Sequence, residues 1–155
     1  MCIALLSMTE KSYDQELFIS ATPESVYLAL TKSVNLWWTD SVKDASLVNS
    51  KITLAFGETY KTLEIKDLQP ERRVLWECVD AHMAVESISD KREWVGTSIE
   101  WEINSTENGS RVNFLHRGLV PTFECYDMCA GGWEFFLGSF KDYLESGTGQ
   151  PFKNA

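Results

Sequence analysis

Positive charge is scarce in this sequence. Its 155 residues include 14 Lys and Arg against 23 Asp and Glu, which gives a formal net charge of −9 at pH 7. A protein with a field of this sign repels the phosphate backbone of nucleic acids and anionic membrane surfaces. We therefore expect no nucleic-acid partner.

Long apolar runs are also missing. No segment approaches the roughly 20 apolar residues of a transmembrane helix. The opening residues, MCIALLSMTEKSY, contain a short apolar run but lack the basic region that begins a secretory signal. We expect a cytoplasmic protein with no membrane insertion. Residues 1–14 are predicted to form a flexible N-terminal extension, and Met1 and Met8 are both open as its start.

Motifs for metal binding and common catalysis are absent. The four cysteines, at positions 2, 78, 125 and 129, form neither a disulfide framework nor paired CxxC motifs. Cys125, Cys129 and His116 together lack an evident fourth zinc ligand. A nucleophile elbow, a P-loop and a dinucleotide fingerprint are missing as well. We therefore assign no metal, no cofactor and no catalytic residue.

Aromatic residues, in contrast, are plentiful. The chain has six Trp, eight Phe and five Tyr, and a chain of this length buries roughly 70% of the surface that its unfolded form exposes. Aromatic side chains supply a large contact area with few rotamers. They suit either a thick core or the wall of an apolar cavity.

The first half of the chain begins with a strand and then helical signals. Residues 15–21 predict a strand. Thr22-Pro23-Glu24 supplies a capping residue, a proline at the first helical position and an acid in the first turn. The helix is predicted to run to about Thr31, and a second short helix or turn holds residues 36–38.

Alternating apolar residues then predict a series of antiparallel strands. The alternating stretches are Ile52–Phe56, Leu63–Ile65, Val74–Val79, Ile99–Ile103 and Val112–His116. Asn108-Gly109 is a strong hairpin signal between the last two. Residues 80–95 are rich in charge and show no continuous alternation. We predict a loop there with one more strand near Met83–Ile88.

The last element is predicted to be a long helix over residues 122–146. Pro121-Thr122 opens it and Gly147 closes it. One apolar stripe runs along it, made of Cys125, Cys129, Trp133, Phe136, Phe140 and Leu144. Three interior glycines, at positions 131, 132 and 138, cost about 1 kcal/mol each relative to Ala. They indicate close backbone packing, a local kink, or room beside the tryptophan.

This element order predicts an α+β helix-grip fold. In it a curved antiparallel sheet of about six strands wraps around the long C-terminal helix, with two short helices after the first strand. An antiparallel sheet must have its apolar face covered, and the last helix is available to cover it. We predict one domain over residues 15–152, a tail over 153–155, and a largely apolar cavity between sheet and helix.

The motifs also resemble a known family. ATPESVYLALT followed by WW looks like the opening of the family homologous to the activator of the heat-shock-90 ATPase, within the START-like (SRPBCC) superfamily. The pattern GLVPTFECYDMC…GW…S…Y…GTGQP is similar to one bacterial branch of it, and the resemblance spans residues 15–152. It implies the fold strongly and the function weakly, because family members include co-chaperone domains, and related families bind lipids, hormones or polyketides or act as cyclases.

The leading hypothesis is binding of a small apolar or aromatic molecule in the internal cavity, without catalysis. The predicted ligand-binding residues are Trp37, Trp38, Phe56, Trp76, Trp101, Phe114, His116, Cys129, Trp133, Phe136 and Phe140. One alternative is a co-chaperone-like domain whose partner is a chaperone or another protein. Another is a cyclase- or hydrolase-type enzyme that uses His116.

His116 is the sharpest single candidate. Alternation places it with Val112 and Phe114, on the strand face that meets the helix. There it could orient a polar group of a ligand or act as an acid or base. The favoured interpretation is a structural histidine, because buried polar groups are satisfied internally. A reactive Cys125–His116 pair stays open, with small apolar packing preferred for the cysteine.

Overall fold

A computed structural model describes residues 10–154 and gives six strands, two α-helices and one short 3₁₀ helix. The elements are β1 (Tyr13–Ile19), α1 (Pro23–Thr31), the 3₁₀ helix (Val34–Leu36), β2 (Lys51–Phe56), β3 (Thr59–Gln69), β4 (Arg73–His82), β5 (Ser98–Thr106), β6 (Gly109–Arg117) and α2 (Tyr126–Ser146). Of the two short helices predicted after the first strand, the second is this single 3₁₀ turn.

The six strands form one sheet in the order β1-β6-β5-β4-β3-β2, and every neighbouring pair is antiparallel. The register of β3 against β4 shifts after Thr62 and again after Ile65. Such bulges bend a strand and increase its twist, and they help the sheet to curve. The predicted α+β helix-grip fold is confirmed.

The start of α1 follows its capping residues. The hydroxyl oxygen of Thr22 accepts a hydrogen bond from the backbone N–H of Ser25 at 3.1 Å, and Pro23 occupies the first helical turn. This satisfies one of the N–H groups that a helix N-terminus leaves unpaired. The helix buries Val26 and Leu30 completely, so one face of it extends the core.

The long helix α2 begins four residues later than predicted, at Tyr126 instead of 122. Residues 121–125 form turns. The carboxylate of Glu93 accepts hydrogen bonds from the backbone N–H groups of Glu124 (2.8 Å) and Cys125 (3.1 Å). These contacts occupy N–H groups just ahead of the helix. The end is as predicted, with Gly147 in the left-handed conformation at φ +87°.

Two other segments differ from the sequence-based expectation. The first strand starts at Tyr13, paired with His116 of β6, instead of at residue 15. The extra strand predicted near Met83–Ile88 is wrong, because the chain there is a loop that joins β4 to β5. The ammonium of Lys91 donates to the carbonyls of Val85 (2.9 Å) and Ile88 (2.7 Å), which satisfies them without a strand neighbour.

The C-terminal residues pack on the domain. Phe152 forms an isolated parallel bridge with Thr39. The side-chain amide of Asn154, in the predicted tail, donates to Asp40 at 2.8 Å and to the carbonyl of Ala55 at 3.0 Å. Residues 1–9 of the predicted N-terminal extension, and Ala155, lie outside the described residues. Neither helix among residues 10–154 is long and apolar enough to cross a membrane.

Aromatic rings fill the centre of the space between the sheet and α2. The ring of Trp101 lies 4.8 Å from Phe114, 5.2 Å from Phe140 and 5.7 Å from Trp76, centroid to centroid. Trp37 packs on the same cluster at 4.8 Å from Phe140. All five rings are almost completely inaccessible to solvent. The centre of the space between the sheet and α2 is therefore packed hydrophobic core.

Candidate ligand-binding pocket

An apolar pocket of about 190 Å³ opens at one end of the grip. It lies between β2, β3, the loop after β4 and the first half of α2. Its lining residues are Trp38, Phe56, Thr59, Lys61, Met83, Val85, Trp94, Met128, Cys129, Gly132, Trp133 and Phe136. Aromatic and aliphatic groups predominate, and only two side chains in the set, Thr59 and Lys61, carry oxygen or an amine.

A larger depression of about 640 Å³ lies on the outer face of the sheet. Its side chains are mostly polar or charged and include Asp14, Glu16, Glu100, Glu102 and Arg117. Water solvates such a polar surface well. In an apolar pocket, by contrast, the displacement of water by a ligand favours binding. The smaller apolar pocket is the better candidate site.

The residues predicted to bind a ligand divide into two groups. Five of them line the pocket: Trp38, Phe56, Cys129, Trp133 and Phe136. The other six lie behind it in the packed interior: Trp37, Trp76, Trp101, Phe114, His116 and Phe140. A role for the second group in direct ligand contact stays a prediction, and in this structure those rings contact one another.

The aromatic wall of the pocket is braced by ring packing. Trp38 lies 4.9 Å from Trp133, and Trp94 is stacked on Trp133 at 6.1 Å. On the opposite side, Phe56 lies 5.8 Å from Phe136. Offset and edge-on aromatic contacts of this kind hold rings in fixed orientations. The pocket therefore presents preformed apolar surfaces.

A chain of hydrogen bonds behind the wall passes through His116. The indole Nε1–H of Trp133 donates to His116 Nδ1 at 3.0 Å. Because Nδ1 accepts, the ring proton is on Nε2, which donates to Thr97 Oγ1 at 2.9 Å. Thr97 in turn donates to the carbonyl of Trp94 at 2.6 Å. The chain joins α2, β6 and the loop after β4, and it positions two of the three tryptophans of the wall, Trp94 and Trp133.

His116 is uncharged in this environment. Complete burial, with a smaller contribution from the nearby charge of Lys61, lowers the pKa of His116 to about 3. Both of its ring nitrogens are engaged, and it does not line the pocket. The geometry fits the structural interpretation of His116 better than that of an acid or base.

Lys61 is a pocket residue that the sequence reading missed. The residue is buried, with only 8% of its surface exposed. Its Nζ lies 4.3 Å from the ring centroid of Trp94 and 5.2 Å from that of Phe56. Burial lowers the pKa of this amine. The sequence does contain a pattern that indicates its burial, because Lys61 alternates with Leu63 and Ile65 on the inward face of the strand.

Trp94 was missed as well. It lies in the irregular loop after β4, yet it is buried, and its indole N–H donates to Cys129 Sγ at 3.2 Å. The charged sequence around it has no periodicity that would predict burial. The remaining lining residues that were missed are Thr59, Met83, Val85, Met128 and Gly132.

Of the three cysteines that the structure describes, none forms a hydrogen bond with His116. Cys125 and Cys129 are one helical turn apart and interact, and this contact lowers the pKa of Cys129 and raises that of Cys125. Burial raises the pKa of Cys78 to about 11. The nitrogens of His116 are held by Trp133 and Thr97, so no hydrogen bond joins them to Cys125. Within residues 10–154, no group of three or more potential metal ligands occurs.

A curved antiparallel sheet that grips one long helix, with an apolar pocket at one end, defines a helix-grip domain of the START-like (SRPBCC) superfamily. Comparison with family models makes this more specific. Residues 20–145 match the family described as Activator of Hsp90 ATPase homolog 1-like protein, and the chain belongs to this family.

Solved structures share this fold. The solution structure of the Aha1 dimer from Colwellia psychrerythraea has 29% sequence identity and a TM-score of 0.73, over 89% of this chain and 98% of that chain. Protein MLL2253 from Mesorhizobium loti has 16% sequence identity and a TM-score of 0.70, over 86% of this chain and 96% of that chain. CalU16 from Micromonospora echinospora has 17% sequence identity and a TM-score of 0.59, over 88% of this chain and 74% of that chain. No curated protein matches the sequence.

Proposed function

We propose that this protein binds a small apolar or aromatic molecule in the pocket at the end of the grip. The observation that carries the proposal is the lining itself, which combines preformed aromatic faces with two polar side chains, Thr59 and Lys61. Binding sites for small molecules are concave, mostly apolar and supplied with few polar groups. Membership of a superfamily of ligand-binding domains supports the same function.

The size of the pocket limits the ligand. Its volume of about 190 Å³ is below the roughly 300–1,000 Å³ typical of pockets for drug-sized molecules. A ligand of the size of a naphthalene derivative or a medium-length alkyl chain is therefore expected. Larger lipids would have to extend past Met128, which is 48% exposed.

The enzyme alternative gains no support from His116. A cyclase or hydrolase would need this histidine to exchange protons with a ligand. The imidazole is instead behind the pocket wall, with Trp133 and Thr97 on its two nitrogens. We therefore favour binding without chemistry at His116.

The protein-interaction alternative has one specific observation in its favour. Phe135 and Met128 on α2 are 57% and 48% exposed, and Phe135 packs on Phe136 of the pocket at 5.0 Å. Exposed apolar groups beside a pocket suit a protein contact, and the Colwellia relative is described as a dimer. Light scattering of the wild type and of Phe135→Ser tests this, and unchanged monomeric mass in both would count against self-association.

Gly132 offers a direct test of the pocket. It lines the pocket in the first half of α2, and a Cβ added there meets no atom within 4 Å. Leu at this position would fill the space that a ligand needs. The matched control is Gly131→Leu, because Gly131 is exposed on the same helix and has equal room for a Cβ. Both changes remove an interior glycine and should favour the helix.

The measurement is isothermal titration calorimetry with 2-(1-naphthyl)ethanol, a neutral aromatic probe. We expect binding to the wild type and to Gly131→Leu, and a loss of about tenfold or more in affinity for Gly132→Leu, because the apolar area that the probe buries is taken by the leucine. Equal affinity in all three proteins would show that the probe binds elsewhere, and the proposed function would fail.

A further inference from the structure

Lys61 is a buried cation without a counter-charge. Among residues 10–154, no carboxylate lies within 4.0 Å of its Nζ, and no hydrogen bond from it is present, although the protein has 23 acidic residues. Burying an ammonium costs free energy unless it is paired. The rings of Trp94 and Phe56 offset part of this cost through cation–π contact. They leave the N–H donors of the ammonium unused.

Thr59 provides a second unused donor on the same strand face. Its Oγ1 accepts a hydrogen bond from the backbone N–H of Ala84 at 2.9 Å. The hydroxyl proton has no acceptor among the described residues and is free to point at a ligand. Thr59 and Lys61 are two residues apart on β3, and both line the pocket. The two polar side chains of the pocket lining therefore both have hydrogen-bond donors available for a ligand.

Besides burial, the groups that influence the pKa of Lys61 are thiols. They belong to Cys129, Cys125 and Cys78, and Lys61 in turn lowers the pKa of the nearby His116. The Sγ atom of Cys129 already accepts a hydrogen bond from Trp94. Thiols are much weaker acids than carboxylates. Because no carboxylate pairs with Lys61 among residues 10–154, the carboxylate of a ligand can supply the counter-charge.

We propose that the ligand of this pocket is a small apolar or aromatic monocarboxylate, whose carboxylate pairs with Lys61 Nζ and accepts a second hydrogen bond from Thr59. The apolar part of the molecule lies between Trp38, Phe56 and Trp133. This inference rests on the proposed function and adds the chemical class of the ligand. A single ammonium neutralises one negative charge, so a monocarboxylate is fully paired in this pocket, whereas a dianionic phosphate would leave one buried charge unpaired.

The test compares acids with their matched alcohols by calorimetry at neutral pH. The pairs are 1-naphthylacetic acid with 2-(1-naphthyl)ethanol, and decanoic acid with decanol. We expect the wild type to prefer the acid of a pair by about tenfold or more, because hydrogen bonds to charged groups are the stronger ones. Lys61→Met should lose this preference and still bind the alcohol.

The control is Lys66→Met. Lys66 is on the same strand, is 40% exposed and lies 3.6 Å from both Glu64 and Glu77 on the sheet surface. Its removal changes the net charge by the same amount, so the preference for the acid should persist. Circular dichroism establishes that each variant is folded. Should Lys61→Met fail to fold, Lys61→Gln serves instead, and the comparison in the wild type needs no variant.

The outcomes separate the two proposals. Equal affinity of the wild type for acid and alcohol, or an unchanged preference in Lys61→Met, overturns the carboxylate inference and leaves the apolar pocket in place. Binding of none of the four compounds overturns the proposed function and the inference with it. A preference for the acids that disappears only in the Lys61 variant supports both.

Discussion

The indole of Trp133 donates its N–H to His116 Nδ1 at 3.0 Å, across the interface between α2 and β6. This bond fixes the proton of His116 on Nε2, where Thr97 accepts it. One face of the Trp133 ring is thereby held as a wall of the pocket, while the indole N–H points away from the pocket, towards His116. The same buried histidine gives two predictions.

Replacing His116 with Ala should lower the free energy of unfolding by about 1–3 kcal/mol for the unpaired partners alone, with a further loss for the cavity. The buried N–H of Trp133 would lose its acceptor, and Thr97 would lose its donor. Urea unfolding measures the change. The control is His82→Ala, because His82 is exposed at the end of β4. A loss for His116→Ala no larger than for the control would contradict the structural role.

His116 should also make stability depend on pH. Its pKa is about 3 in the folded protein against 6.5 for an unperturbed histidine. As the pH falls, His116 therefore takes up a proton in the unfolded chain before it does so in the folded protein. The contribution of the neutral histidine to folding stability is complete above about pH 6.5 and is lost as the pH falls from 6.5 towards 3. The slope is about 1.4 kcal/mol per pH unit for one proton.

Urea unfolding of the wild type and of His116→Gln between pH 7 and pH 4.5 isolates this effect, since the carboxylates titrate in both proteins. The difference in unfolding free energy should shrink as the pH falls. A constant difference over that range would mean that His116 titrates normally in the folded state.

Glu93 should stabilise the start of α2. Its carboxylate accepts the backbone N–H groups of Glu124 and Cys125 just ahead of the helix, where a negative charge is favourable. We expect Glu93→Gln to cost about 0.5–1 kcal/mol, measured by thermal or urea unfolding. Glu86→Gln in the same loop is the control, because Glu86 is exposed and accepts no hydrogen bond among the described residues. Equal effects of the two changes would argue against capping.

Lys61→Met should stabilise the protein without ligand. The change removes a buried cation that has no counter-charge, and we expect a gain of about 1 kcal/mol after the loss of the cation–π contacts. The pKa of Lys61 is lowered below its ordinary 10.5. The advantage of the variant should therefore narrow as the pH rises towards 10.5. Unfolding at pH 7 and pH 9.5 tests this, and a less stable variant at pH 7 would show that the amine has an internal partner.

Local periodicity determined most of the architecture. The alternation at Ile99–Ile103 and Val112–His116 predicted two strands and their inward faces, and the hairpin between them follows from Asn108-Gly109. The side-chain period of a strand is two and that of a helix is 3.6, so each pattern shows which face is buried. The burial of His116 followed from its place in this alternation.

Only the tertiary structure decided where the pocket lies. Trp101 and Trp133 both face the interior, but Trp101 is enclosed by other aromatic rings, while Trp133 also lines the pocket. A periodic pattern gives the direction of a side chain and carries no measure of the distance to the opposite wall. Trp94 reaches the pocket from an irregular loop, which has no period to read. Lys61 faces inward by alternation, and its lack of a counter-charge depends on which side chains the fold brings around it.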